Sequence, residues 1–178
     1  MTRALRRGGF TLLEVAASMS VIAIALVATL GAIGTSTRAS STITEQEIAT
    51  RAASAVLEEM AAVRFADLLA TYDASPANDP VAPGRAPGEF FAVPELAPAD
   101  GAAAAEIGRI VLPTIGAQLR EDGARPELGM PRDLNGDGKI DSRDHAADYR
   151  VLPALVEVRW RGAGGPCRIA IPCVFAAR

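Results

Sequence analysis

Two stretches of this chain hold side chains whose types and spacing could do chemistry. The first is Arg6 to Val15, R-R-G-G-F-T-L-L-E-V. A short basic leader ends in Gly8 and Gly9, an apolar run begins abruptly at Phe10, and one carboxylate, Glu14, stands just inside it. A charge within a hydrocarbon-spanning helix is disfavoured by about 3 kcal/mol on insertion scales, so Glu14 needs a compensating partner and is a functional candidate by default. The second stretch is Asp133 to Asp144, D-L-N-G-D-G-K-I-D-S-R-D. It offers side-chain oxygens at Asp133, Asn135 and Asp137, a turn glycine at Gly138, the backbone carbonyl of Lys139, then Asp141 and Asp144. Oxygen donors at those intervals in a twelve-residue loop suit calcium, a hard cation that takes six to eight oxygens. Its carboxylates would repel one another without a cation; the competing reading is an Asx-rich surface turn with no metal.

Three further residues invite chemistry and offer less. Cys167 and Cys173 lie six residues apart in an alternating run, and a disulfide between them is conceivable in an oxidising compartment. Six strand residues separate their α-carbons by about 20 Å, whereas a bridge needs roughly 4.4–6.8 Å. The strand must therefore break at Pro172, or the cysteines stay unpaired. His145, the only histidine, follows the acidic loop and reads as a solvated or hydrogen-bonded residue. No nucleophile pattern, phosphate loop, zinc spacing or internal repeat accompanies it, so no enzyme is expected.

The elements that must position these residues begin with a span. Val15 to Gly34 carries no charge, about the 20 residues a helix needs to cross a bilayer core. Arg3, Arg6 and Arg7 precede it and Arg38 follows. The positive-inside tendency puts the leader in the cytoplasm and the bulk of the chain outside. A secretory signal peptide would have a shorter apolar region ending in a small-residue cleavage site; here the glycines stand before the apolar run. A simple signal anchor explains the span and the arginines but leaves Gly8, Gly9 and Glu14 unexplained.

Beyond a polar joint at Arg38 to Thr44, apolar residues recur at Ile48, Ala52, Val56, Met60 and Val63, one face of an amphipathic helix. Thr44 with Glu47 predicts a capping box, and Glu47 with Arg51 a favourable pair one turn apart. No proline precedes Pro76, so a single helix is allowed from Phe10 to about Leu69, weakest at Gly31 and Gly34. Its stripe is expected to pack on a sheet. Tyr72 to Asp100 is dense in Pro and Gly and reads as loops with a short strand at Glu89 to Val93. A second short strand is predicted at Gly108 to Leu112. Ala154 to Trp160 and the run from Cys167 to Phe175 alternate about a Gly-rich link, which predicts an antiparallel hairpin. Pro172 places its strand at a sheet edge.

The order of leader charge, Gly9, Phe10, Thr11-Leu12-Leu13, Glu14 and apolar run resembles the cleavage and methylation motif of type IV prepilins and type II secretion pseudopilins. The run from Ala52 to Leu68 is also similar to stretches of the minor members. The resemblance implies that a prepilin peptidase/methyltransferase cuts between Gly9 and Phe10 and methylates the Phe10 nitrogen. It also implies that Glu14 pairs with the Phe10 amine of a neighbouring subunit, as an assembly and register device. The twelve-residue loop, closing on Asp144 where an EF-hand has Glu, resembles a dockerin-type calcium loop, and its role is expected to be structural.

The expected fold is therefore α+β and pilin-like, a long N-terminal helix, transmembrane in its first half and amphipathic in its second, packed on a small antiparallel sheet. The expected organisation is a cleaved leader at 1–9, a transmembrane and assembly helix at 10–36 and its amphipathic continuation at 37–70. A head at 71–178 holds the loop 133–144 and a hairpin at 154–176. The expected function is a structural subunit, of the minor class, of a type IV pilus or type II secretion pseudopilus. It would sit in the inner membrane with its head extracytoplasmic, and then in a periplasmic pseudopilus or surface pilus. Its partners would be the peptidase and other subunits. The formal charge of −3 includes the leader's arginines, so the processed chain is more acidic still and shows no basic footprint for nucleic acid. The alternative is a membrane-anchored, calcium-dependent binding module, weakened because dockerins resemble tandem pairs of such loops.

Overall fold

The computed structural model describes residues 11–99 and 101–177. The chain forms two compact units that meet in sequence at Ser41 and Thr42, and one helix, α1 (Leu12–Ala62), runs from the first into the second.

In the first unit α1 exposes apolar side chains on all sides, among them Leu12, Met19, Ile22, Leu26 and Leu30. By length and composition it is able to cross a membrane. Its hydroxyls return their hydrogen bonds to the helix's own carbonyls: Ser18 to Glu14, Ser20 to Ala16 and Thr29 to Ala25, at 2.8, 2.9 and 2.8 Å. Hydroxyls satisfied in this way within one helix would not be stranded in lipid. The helix passes without a break through the Arg38 to Thr44 joint. Thr44 is thus an interior helical residue, and the expected capping box has no terminus to cap.

In the second unit the helix buries Ala49, Ala53 and Met60 fully, with Ile48, Ala52, Val56, Leu57 and Val63 packed around them. Small residues at the centre of the contact let the helix backbone lie close to the sheet. The helix ends at Ala62, short of the expected Leu69, where Arg64 turns extended (φ −60°, ψ 135°). The chain re-enters as α2 (Phe65–Tyr72), which buries Leu68, Leu69 and Tyr72 in the same core.

The main sheet is antiparallel with strand order β1 (Phe90–Phe91), β2 (Gly108–Val111), β5 (Val151–Gly162), β6 (Gly165–Ala176). Between β2 and β5 a small ribbon pairs β3 (Thr114–Ile115) with β4 (Gln118–Leu119). The long helix packed on an antiparallel sheet is the expected pilin-like α+β architecture. At the β1–β2 contact, a Cβ on Gly108 would run into the Phe91 ring and force it to shift. β5 starts three residues earlier than the alternation suggested, because it is buried on both faces. Leu152, Ala154, Val156, Val158 and Trp160 share the face that carries Trp160 to the Glu45 side chain of α1. Pro153 and Leu155 are buried on the other face.

β6 is the outer strand and runs unbroken through Pro172. Arg159 and Arg161 donate their amides away from β6, to Ile107 and Ala97, each at 2.9 Å. The even-numbered residues of β5 therefore carry the bonds to β6. Trp160 pairs with Cys167 and Ala154 with Cys173, so Pro166 and Pro172 fall between, at positions whose amide would face outward. A proline is tolerated where its missing N–H would have met only solvent. The continuous strand also removes the disulfide: Cys167 and Cys173 are both free thiols, held apart by six residues of extended chain.

Candidate functional site

Gly9 and Phe10 lie outside the described residues. Immediately after them Thr11 starts the helix: its carbonyl and its Oγ1 accept from the Glu14 amide at 3.0 and 3.3 Å. Glu14 therefore occupies the first turn of α1, where a carboxylate is favoured by the partial positive charge of the helix N-terminus.

The acidic loop is built on a ladder of side-chain-to-backbone bonds. Asp133 accepts from the amides of Gly136 (2.6 Å) and Gly138 (2.8 Å). Asn135 Oδ1 accepts from Asp137 (3.0 Å), and Asp137 Oδ1 from Lys139 (2.8 Å). Gly138 has φ 81°, which explains the glycine at this turn. The two amides on Asp133 hold its carboxyl below the ordinary carboxylate range. The first half of the twelve-residue pattern is thus a compact, preordered turn with its oxygens on short tethers.

The second half is arranged differently. Asp144 Oδ1 accepts from the Leu119 amide on β4 at 3.0 Å and from Ala146 at 3.1 Å. Asp141 Oδ1 accepts from the Arg143 amide at 2.8 Å and lies 3.1 Å from His145 Nε2, while its Oδ2 takes Arg143 Nε at 2.7 Å. The Arg143 amide and guanidinium, with His145, bring the Asp141 carboxyl down to about 2.

Beneath the loop lies a carboxylate that the sequence did not flag. Glu121, 1% exposed, accepts from the amides of Leu134 (2.7 Å) and Asn135 (3.3 Å) through Oε1 and of Asp141 (3.2 Å) through Oε2. It ties both limbs of the loop to one buried point. In sequence it stands in R-E-D, which reads as surface charge; only the fold turns it inward. His145, 2% exposed, lies 3.6 Å from Glu121 through Nε2 and 3.0 Å from Asp148 Oδ1 through Nδ1. Burial opposes charge on this imidazole, but the hydrogen bonds it donates to Asp141 and Asp148 and the field of Glu121 prevail and raise its pKa. Asp148 is held in turn by Asn135 Nδ2 at 3.2 Å.

Glu121, Asp141 and His145 offer three ligand atoms that lie within 4.8 Å of one another, a group able to hold a metal ion. Asp141 alone is common to this group and the twelve-residue pattern. Cys173, by contrast, is a packing residue: burial lifts its thiol to about 11 and its Sγ lies 3.5 Å from the Ala154 carbonyl.

Residues 5–30 match the family model described as the prokaryotic N-terminal methylation motif. Neither the curated proteins nor the solved structures give a match. The matched residues take in the end of the basic leader, the Gly9–Phe10 junction, Glu14 and most of the apolar run, so over this N-terminal segment the chain carries the prepilin-type methylation motif.

Proposed function

We propose that the chain is a minor subunit of a type IV pilus or type II secretion pseudopilus. In this reading residues 1–9 are a leader, removed by prepilin peptidase between Gly9 and Phe10, and the Phe10 nitrogen is methylated. The observation that carries it is the methylation motif leading directly into a helix whose first part is apolar on every side and whose last part packs on an antiparallel sheet. The first part suits a bilayer and then a bundle of like helices, and the head stays outside the inner membrane. Alone in lipid Glu14 is costly; beside the Phe10 amine of a neighbour both charges are compensated. Breaking such a buried pair costs about 3–5 kcal/mol, which favours the filament over the lone subunit. The reading is tested by the N-terminal sequence and mass of the chain purified from membranes. N-methylphenylalanine at Phe10 is expected, and an uncut Met1 would point to a plain membrane anchor.

We further propose that the loop 133–144 holds calcium, through Asp133, Asn135, Asp137, the Lys139 carbonyl, Asp141 and Asp144, in a structural role. The ladder on Asp133, Asn135 and Asp137 supports this, because it aligns acidic oxygens around one turn before any ion arrives. A calcium chelator is expected to lower the melting temperature of the detergent-solubilised full chain, with Asp137→Ala reproducing the loss. No effect from either would remove calcium from the account.

A further inference from the structure

Most of the molecule's polar clusters are surface ion pairs or backbone caps. The group around His145 differs in burial, in ligand type and in the way its imidazole is held. Nε2 faces two carboxylates, at 3.1 Å from Asp141 Oδ1 and 3.6 Å from Glu121 Oε2. Ligands bonded at about 2.0–2.1 Å to a tetrahedral ion stand about 3.3 Å apart, and these two separations bracket that value.

A second observation is independent of those distances. His145 Nδ1 is engaged by Asp148 Oδ1 at 3.0 Å, and Asp148 is steadied by Asn135. A carboxylate behind one imidazole nitrogen fixes the ring and presents the other nitrogen, which is how metal-ligating histidines are held. The site is also ordered in advance, since three loop amides fix the Glu121 carboxylate. One imidazole and two carboxylates suit a borderline divalent ion, whereas calcium prefers an all-oxygen shell.

We propose that Glu121 Oε2, Asp141 Oδ1 and His145 Nε2 form a binding site for a divalent transition-metal ion of the zinc class, with Asp148 as the positioning carboxylate behind His145. This assigns Asp141 Oδ1 to the imidazole cluster. Asp133, Asn135, Asp137, the Lys139 carbonyl and Asp144 remain as the donors proposed for calcium. The ion would lock the β4 end of the fold, through Glu121, to the segment that leads into β5.

The test uses the full chain in detergent, stripped with a strong chelator and dialysed, with cobalt(II) as the spectroscopic probe. Wild type is expected to give the intense visible absorption of a four- or five-coordinate site, bleached by one equivalent of zinc and left in place by excess calcium. His145→Gln should abolish that absorption, and Asp148→Asn should keep it while weakening the metal about 10–100-fold. Because His145 is the only histidine, ¹⁵N-histidine labelling gives a readout on the unaltered chain: zinc should shift the Nε2 resonance and leave Nδ1 hydrogen-bonded. A cobalt spectrum like that of the hydrated ion, an unchanged spectrum in His145→Gln, or an Nε2 resonance indifferent to zinc each overturns the proposal. Calcium stabilisation of the loop is read separately, as the rise in melting temperature when calcium is added to the stripped, zinc-free chain, so either metal reading can fail without the other.

Discussion

The indole Nε1 of Trp160 donates to Glu45 Oε2 at 3.1 Å, joining helix α1 to the end of β5 across 115 residues of sequence. Glu45 Oε1 also receives the Ala163 amide of the β5–β6 turn at 3.4 Å, and Gly162 leaves the room in which that carboxylate sits. Trp160 is 1% exposed, so its N–H has no other outlet. Glu45→Ala should lower stability by about 1–3 kcal/mol, the cost of a stranded buried donor, with Glu45→Gln losing less. Chemical denaturation of the full chain in detergent, followed by the fluorescence of its single tryptophan, measures both.

Glu157 predicts an acid-sensitive edge. Burial would raise its pKa, but hydrogen bonds from Arg159 (2.8 Å) and Arg168 outweigh this and lower it. A carboxyl whose folded pKa is depressed contributes stability above its unfolded value, about 4.3, and loses it as pH falls toward the folded value. Glu157→Gln should therefore cost about 1–2 kcal/mol near pH 7, modest because both arginines are more than half exposed. The difference from wild type should shrink as pH falls below about 4.3; urea midpoints at pH 7 and in acid decide it.

The helix–sheet contact is closed at Ala53, which is 0% exposed. Ala53→Leu should overpack it and cost about 1–3 kcal/mol, while Ala55→Leu, at an exposed position, should be near neutral. Equal melting temperatures for the two variants would refute the close approach of α1.

For the filament reading, Glu14→Ala should leave processing and membrane insertion intact but lower incorporation into filaments. Quantifying processed chain in membranes against chain in sheared filaments separates the two steps, and unchanged incorporation would exclude Glu14 from assembly.

Much of this architecture was legible because its signals are local. The uncharged run, the 3.6-residue stripe and the two alternating runs can each be read within about twenty residues of sequence. What the sequence hid was set by tertiary contact. The centre of the helix face is Ala49 and Ala53, displaced from the larger Ile48 and Val56, because alanine carries a weak hydrophobic signal yet permits the closest packing. The loop's ladder followed from its Asp, Asn and Gly spacing. Glu121 and Asp148 did not, since each lies outside the twelve-residue pattern and gains meaning only from the folded loop and His145.

The rim of β6 bears on how copies of this chain could stick together. A strand arriving alongside would find no donor at Pro166 or Pro172, and between them only the amides of Arg168 and Ala170; beyond Pro172 only those of Val174 and Ala176 remain. Two rungs at a time make a poor ladder. Intermolecular strand exchange, the common route from an exposed edge to amyloid-like clumping, is thereby blunted.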